Sequence, residues 1–236
     1  MARAPAKHSQ YSLEGIAIFA NLPADRRERI QQRCSWRRYE PGDPIVDYLD
    51  ASDDVYFITE GETRVTIYSR VGKVVSFREL GAGEIFGEYP AIDRGPRSAS
   101  VEARTRCLVA SMPAAAFREL LQTEPVVAQA LLVQFVKRIR ALTTRVYEFS
   151  ILAVKNRIQA ELLRLASLGP REGKSARIVP APTHVEIASR VSPHREAVTR
   201  ELSRLARIGI IERRGGTLLV KDVEELTEMV HKATGE

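Results

Sequence analysis

The sequence predicts an α+β chain in three parts: a β-rich N-terminal half, one long amphipathic helix, and a C-terminal winged helix-turn-helix. Three observations carry this prediction. Over residues 36–112, short runs of β-branched and aromatic residues are cut by frequent turn signals. Over residues 132–153, apolar residues recur at spacings of 3-4-3-4-3-4. After Thr183, two short amphipathic helical patterns flank a Ser192-Pro193 break and lead into a basic hairpin.

Taken in order, residues 13–19 and 23–34 read as helical, with Pro23 and Asp25 near a helix entry. Turn signals follow at Glu40-Pro41-Gly42-Asp43, Glu60-Gly61-Glu62, Gly72-Lys73, Gly81-Ala82-Gly83 and Arg94-Gly95-Pro96. Between them, residues 55–58, 64–68 and 74–77 have the composition of strands, and their spacing predicts a sandwich or small barrel. The long helix begins near Val126, and Leu132, Phe135, Ile139, Leu142, Val146, Phe149 and Ala153 form its seam. A second copy of the helix would bury that seam, so a homodimer is expected; a helix packed on its own domain is the other reading. Residues 154–168 continue as helix to Gly169-Pro170, and residues 170–182 read as a loop with room for one short strand. Residues 210–220 form a hairpin around Gly215-Gly216, and Asp222 caps a terminal helix through His231. The expected divisions are residues 1–125, 126–153 and 154–236.

Composition narrows the function classes. The chain has 236 residues, 44% hydrophobic and 28% charged, which describes an ordinary globular protein. There is no apolar run of about eighteen residues, so no membrane partner is expected, and residues 1–10 lack the apolar core of a signal peptide. Cys34 and Cys107 are too few for a disulfide framework or a metal cluster, and the cytoplasm is the expected compartment. His8, His184, His194 and His231 show no ligand spacing, so no metal is expected, and no nucleophile–base pair suggests an enzyme. The net charge of +6 is compatible with a nucleic-acid partner and equally with a solvated basic surface.

The helix-turn-helix carries its own chemistry. Ile187, Ala188 and Val191 give the first helix an apolar face, and Ala197, Val198, Leu202, Leu205 and Ile208 give the second its buried stripe. Arg195, Glu196, Thr199 and Arg200 remain on the exposed side. Arginine can present two donors to guanine, and glutamate can accept from cytosine. Thr183, His194, Arg213 and Arg214 are candidates for phosphate contacts on double-stranded DNA. A helical hairpin used only for packing is the bland alternative.

A second cluster lies upstream. Glu88 follows Gly87, and nine residues later Arg97 is followed by Ser98 and Ala99. A carboxylate suits a ribose hydroxyl; arginine, a hydroxyl and backbone N–H groups suit a phosphate. A dinucleotide loop fails, because Gly81, Gly83 and Gly87 do not give the G-x-G-x-x-G spacing and no βαβ pattern follows. A ligand-free β domain in which Arg97 pairs with Glu88 is a serious alternative; an unpaired buried arginine is costly, which argues for either a bound anion or such an internal pair.

The residue 87–99 stretch, the long seam and the run Arg195-Glu196-Ala197-Val198-Thr199-Arg200 together resemble the cyclic AMP receptor protein (catabolite activator) family of bacterial transcription regulators, over about residues 13–220. The resemblance implies a double-stranded, jelly-roll-like β-roll as cyclic nucleotide domain, a dimerisation helix and a DNA-reading domain. It implies that Glu88 holds the ribose 2′-hydroxyl, with Gly87 giving close backbone approach. Arg97, Ser98 and the Ala99 N–H would take the cyclic phosphate. The dimer interface would be Leu132, Phe135, Ile139, Leu142, Val146 and Phe149, and the DNA site a palindrome of TGTGA-type half-sites, bent on binding. RNA polymerase is the implied further partner, and cAMP or cGMP the allosteric ligand. The family places Thr-Ser on the dimer helix at the purine, reached from the opposite subunit; here Leu142, Thr143 and Thr144 stand there. Leu142 has no hydroxyl, so weak discrimination between cAMP and cGMP is expected. A ligand-independent regulator of the same fold is the alternative.

Overall fold

The computed structural model describes residues 11–48, 50–68, 74–191 and 195–234. The predicted Gly72-Lys73 turn, the Ser192-Pro193 break and residues 1–10 lie outside the described residues. Contacts divide the chain into two compact units, Met1–Arg138 and Ile139–Glu236.

In the first unit, α1 (Ala24–Gln31) is followed by β1 (Ser35–Tyr39), β2 (Pro44–Val46), β3 (Val55–Glu60), β4 (Glu62–Tyr68), β5 (Val74–Gly81) and β6 (Ile85–Phe86). Then come α2 (Glu88–Asp93), β7 (Ser100–Ala103), β8 (Cys107–Met112), α3 (Ala114–Thr123) and the start of α4 (Pro125–Ile151). Two four-stranded antiparallel sheets form, in the orders β1-β8-β3-β6 and β2-β7-β4-β5. Their facing sides share one core of Tyr39, Ile58, Phe86 and Val109 from the first sheet with Val46, Leu80, Val101 and Ala103 from the second. The outer side of the first sheet presents Val55, Phe57 and Met112 to Leu13, Phe19, Phe117 and Val127. Being covered on both faces, β8 is apolar almost throughout rather than alternating.

The second unit holds the remainder of α4, then α5 (Val154–Leu168), β9 (Arg171–Glu172), β10 (Ser175–Ile178), α6 (His184–Val191), α7 (Arg195–Arg207), β11 (Ile211–Arg214), β12 (Thr217–Val220) and α8 (Val223–Thr234). The sheet order is β11-β12-β10-β9, antiparallel throughout. Ile158, Leu162, Ile187, Val198, Leu205, Ile211, Val220 and Leu226 build the core between helices and sheet.

Several expectations are corrected. Residues 13–19 form only a 3-10 turn at Ala17–Phe19, because the segment is held as an irregular anchor by buried Leu13, Ile16 and Phe19. The predicted helix over residues 23–34 shortens to α1: Pro23 is extended (ψ 148°), and at the other end the Arg33 and Cys34 N–H groups donate to the Ile30 and Gln31 carbonyls, three residues back, as turns. The seam helix stops at Ile151, and Ala153 is extended (ψ 153°), so Ala153 leaves the seam and α5 is a separate helix. The loop over residues 170–182 contains a β-hairpin, β9–β10, rather than one strand. The terminal helix runs past His231 to Thr234. Ile208 is 48% exposed, one residue beyond α7: Gly209 (φ +82°) reverses the chain and brings Ile210 into the core instead.

Candidate functional site

Gly87 links β6 to α2 with φ +79°, the left-handed region that glycine enters without strain. A Cβ there would lie 2.6 Å from Arg97 Nη1 and 2.8 Å from the Asp54 carbonyl oxygen, so the backbone must be bare for Arg97 to approach. Glu88 opens α2 and is 3% exposed. Its carboxylate accepts a hydrogen bond from Arg138 on α4. Burial works against the Arg138 charge, and the Glu88 carboxylate outweighs it, holding the guanidinium firmly protonated.

Arg97 is 2% exposed and belongs to a different set of neighbours. Its Nη1 donates to the Gly87 carbonyl (3.0 Å), and its Nη2 to the Asp54 carbonyl (2.9 Å) and to Ser52 Oγ (3.0 Å). Its Nε donates to Ser52 Oγ at 3.3 Å, and its Cζ lies 5.6 Å from the centre of the Tyr56 ring. Every one of these acceptors is neutral; among the described residues no carboxylate pairs with Arg97. The ligand-free alternative in which Arg97 pairs with Glu88 is therefore corrected. Glu88 faces α4 from the first turn of α2, while Arg97 lies back against the loop before β3. Ser98 is exposed and Ala99 half-buried on the approach to β7.

Arg138, Ser52, Asp54 and Tyr56 had no sequence signal. Arg138 is one of several basic residues on α4, and nothing in its spacing names Glu88 as partner. Further along α4, Leu142 is 60% exposed, and the Thr143 and Thr144 hydroxyls donate to the Ile139 (3.0 Å) and Arg140 (3.1 Å) carbonyls. Of the seam residues, Leu132, Ile139 and Val146 are 58%, 61% and 66% exposed, an apolar stripe that the described residues leave open. Phe149 is also exposed and carries the Arg157 guanidinium over its ring at 4.8 Å. Phe135 is different: it is half-buried against the first unit's core, 6.1 Å from the Tyr89 ring.

In the second unit, Thr183 and Glu186 form a capping box. The Glu186 N–H donates to Thr183 Oγ1 (3.2 Å), and the Thr183 N–H donates to the Glu186 carboxylate (2.8 Å). Val198, Leu202 and Leu205 seat α7 in the core, leaving Arg195, Glu196, Thr199 and Arg200 exposed. A buried polar link adds direction to that seat. Gln159 on α5 donates to Glu201 at 2.6 Å, and Arg204 closes on the same carboxylate at 2.7 and 2.9 Å. Beneath α6, Glu161 is ringed by Arg164 (2.6 Å), Arg190 (3.3 Å) and Arg145 (3.4 Å). Burial alone would raise its pKa, and these guanidiniums hold it below the usual value instead.

On the wing, side chains alternate across β11. Arg214 donates to Glu212 at 2.6 and 3.1 Å, and with Lys221 it brings Glu212 down to about 2; Arg213 points to the other face and is exposed. His184, at the start of α6, sits 2.8 Å from Thr199 Oγ1 through Nδ1. His194 lies outside the described residues. Among the described residues, no cluster of His, Cys, Asp and Glu could hold a metal ion, and no helix is long and apolar enough to cross a membrane.

A two-sheet β domain with a buried carboxylate and a buried arginine at one helix, followed by a winged helix-turn-helix, defines a ligand-sensing DNA-binding regulator. Residues 36–124 match the cyclic nucleotide-binding domain, and residues 156–229 match the Crp-like helix-turn-helix domain. The chain thus joins a cyclic nucleotide-binding domain to a Crp-like helix-turn-helix domain, and it is similar to cAMP-activated transcription regulators. It is 29% identical over 178 residues to the CRP-like cAMP-activated global transcriptional regulator of Mycobacterium tuberculosis, covering 75% of this chain and 80% of that one. It is 29% identical over 198 residues to the cAMP-activated global transcriptional regulator CRP of Escherichia coli, covering 82% and 92%. The solved structure of the c-di-GMP responsive global regulator CLP of Xanthomonas campestris superposes with a TM-score of 0.72 over 84% of this chain and 99% of that one; at 23% identity this is a likeness of fold.

Proposed function

We propose that cAMP, and also cGMP, binds the β domain of this chain and switches a homodimer into the form that binds a palindromic TGTGA-type site. One observation carries the ligand reading: Arg97 is a buried guanidinium whose partners are a hydroxyl, two carbonyls and an aromatic face. A cation taken out of water without a counter-charge is expensive, and a cyclic phosphate supplies the missing charge. Glu88, steadied by Arg138, takes the ribose 2′-hydroxyl, and Ser98 and the Ala99 N–H assist Arg97.

Leu142, Thr143 and Thr144 of the second protomer's helix meet the base. With leucine at the specifying position, the adenine amino group gains no dedicated partner. The exposed stripe of Leu132, Ile139, Leu142, Val146 and Phe149 is the seam that a second copy covers. Locking that seam sets two recognition helices near one turn of DNA apart, about 34 Å. Arg195, Glu196, Thr199 and Arg200 read bases, while Thr183, His194, Arg213 and Arg214 hold phosphates. RNA polymerase is the further partner and the cytoplasm the place of action; no catalytic step is proposed.

A second reading has one observation in its favour: Glu88 already has an internal partner in Arg138, as a ligand-independent regulator would have. Fluorescence anisotropy of a palindromic TGTGA/TCACA duplex separates the two, without ligand, with cAMP and with cGMP at fixed salt. Binding stimulated by both nucleotides is the expected result. Equal binding without ligand selects the second reading, and a strong preference for cAMP removes the weak-discrimination proposal.

A further inference from the structure

We propose that His184 is a DNA-backbone contact of this chain and that it takes up a proton when a phosphate binds. The inference rests on the DNA-reading function above and goes beyond it, to a residue and a proton. His184 stands where helices meet, opening α6 and touching Thr199 on α7, and it lies within the electrostatic reach of Arg213 on β11.

The hydrogen bonds assign its tautomer. The Thr199 hydroxyl donates its own proton to the Arg195 carbonyl at 3.1 Å, so its oxygen is left to accept. At 2.8 Å from that oxygen, His184 Nδ1 must be the donor. The neutral ring therefore carries its proton on Nδ1 and a lone pair on Nε2, which has no hydrogen-bond partner among the described residues. Among the described residues, the charged groups that act on it are Arg213 from β11 and Arg195 from α7; Glu186, two residues on in its own helix, is engaged in the capping box with Thr183. Burial, then Arg213 and Arg195, hold the imidazole below its ordinary pKa, so it is neutral at pH 7 in the free protein.

A DNA phosphate reverses that balance. Held by Arg213, it offsets the larger of the two cationic effects that oppose imidazolium and offers an anionic oxygen to the ring. One proton moves from solvent to Nε2, and the new N–H donates to the phosphate oxygen; no other bond changes. The pKa is thus low in the free protein and raised in the complex. The sign follows: between those two values complex formation consumes a proton, and affinity rises as pH falls, by up to about tenfold per pH unit. Above the raised value the coupling vanishes.

The test is DNA affinity of the full-length protein with saturating cAMP, measured by anisotropy at fixed salt from pH 6 to pH 8. Two variants are compared with the wild type. His184→Asn keeps an N–H donor for Thr199 and cannot be charged; His184→Arg is charged throughout. Wild-type affinity is expected to rise toward pH 6, with His184→Asn losing up to about tenfold there and little at pH 8. His184→Arg is expected to bind without that rise, near the wild-type pH 6 affinity. The wild type should also show a salt slope steeper by about one phosphate contact at pH 6 than at pH 8. A His184→Asn profile parallel to the wild type would overturn the proposal. No wild-type binding at any pH would instead overturn the DNA reading beneath it.

Discussion

Arg97 and Glu88 lie on the same short stretch of chain, yet each answers to a different part of the fold. Glu88 is held by Arg138, whereas Arg97 spans Ser52, Asp54 and Gly87. The planar guanidinium fork is what allows one side chain to bridge three sites, and lysine cannot replace it. Arg97→Ala is therefore expected to leave a folded dimer that binds neither nucleotide nor, in response to nucleotide, DNA. Arg97→Lys should lose at least about tenfold in nucleotide affinity. Calorimetry with cAMP, beside circular dichroism, checks both; normal cAMP-dependent DNA binding by Arg97→Ala would sink the phosphate assignment. At the other end, Arg200 is exposed on α7 and free of packing duties. Arg200→Ala should keep nucleotide binding and cost about 1–3 kcal/mol of discrimination at one base pair. Competition between operator and mutated duplexes measures it, and an unchanged preference would remove Arg200 from base reading.

Elements are held by two kinds of contact, and only one of them has a sequence signature. The stripe Val198, Leu202 and Leu205 seats α7 by area, and its spacing is legible in the chain. The link from Gln159 to Glu201 and Arg204 fixes how α7 is rotated against α5, and no spacing rule connects residues 42 apart. Gln159→Leu leaves a carboxylate that is 6% exposed with Arg204 alone, and should cost about 1–3 kcal/mol in urea unfolding. Gln159→Leu combined with Glu201→Leu should recover most of that loss, because an apolar pair leaves no orphaned acceptor. Failure of the double variant to recover would mean that the link is more than a satisfied buried pair. The end of α7 follows the same logic: Gly209 terminates the helix, so Ile208 misses the core that its spacing promised.

At the scale of the whole molecule, an exposed apolar stripe along α4 is the feature a single chain cannot explain. Val146→Glu places a charge in that stripe without touching either core, and should yield a folded monomer with no operator binding. Light scattering with anisotropy reads both, and a dimer that persists would move the interface elsewhere. The sequence alone determined what depends on neighbours along the chain: the strand-rich half, the heptad seam, the helix-turn-helix with its basic face, and the Glu88–Arg97 spacing. Periodicity and turn chemistry act within a few residues, so they are readable there. Tertiary structure alone decided what depends on residues far apart in the chain. It chose Arg138 rather than Arg97 as the partner of Glu88, and gave Arg97 its neutral seat in Ser52 and Asp54. It also brought His184 against Thr199. The reason is physical: burial removes water from a charged group, and the group must then find whichever partner the packing brings near, which no local pattern encodes.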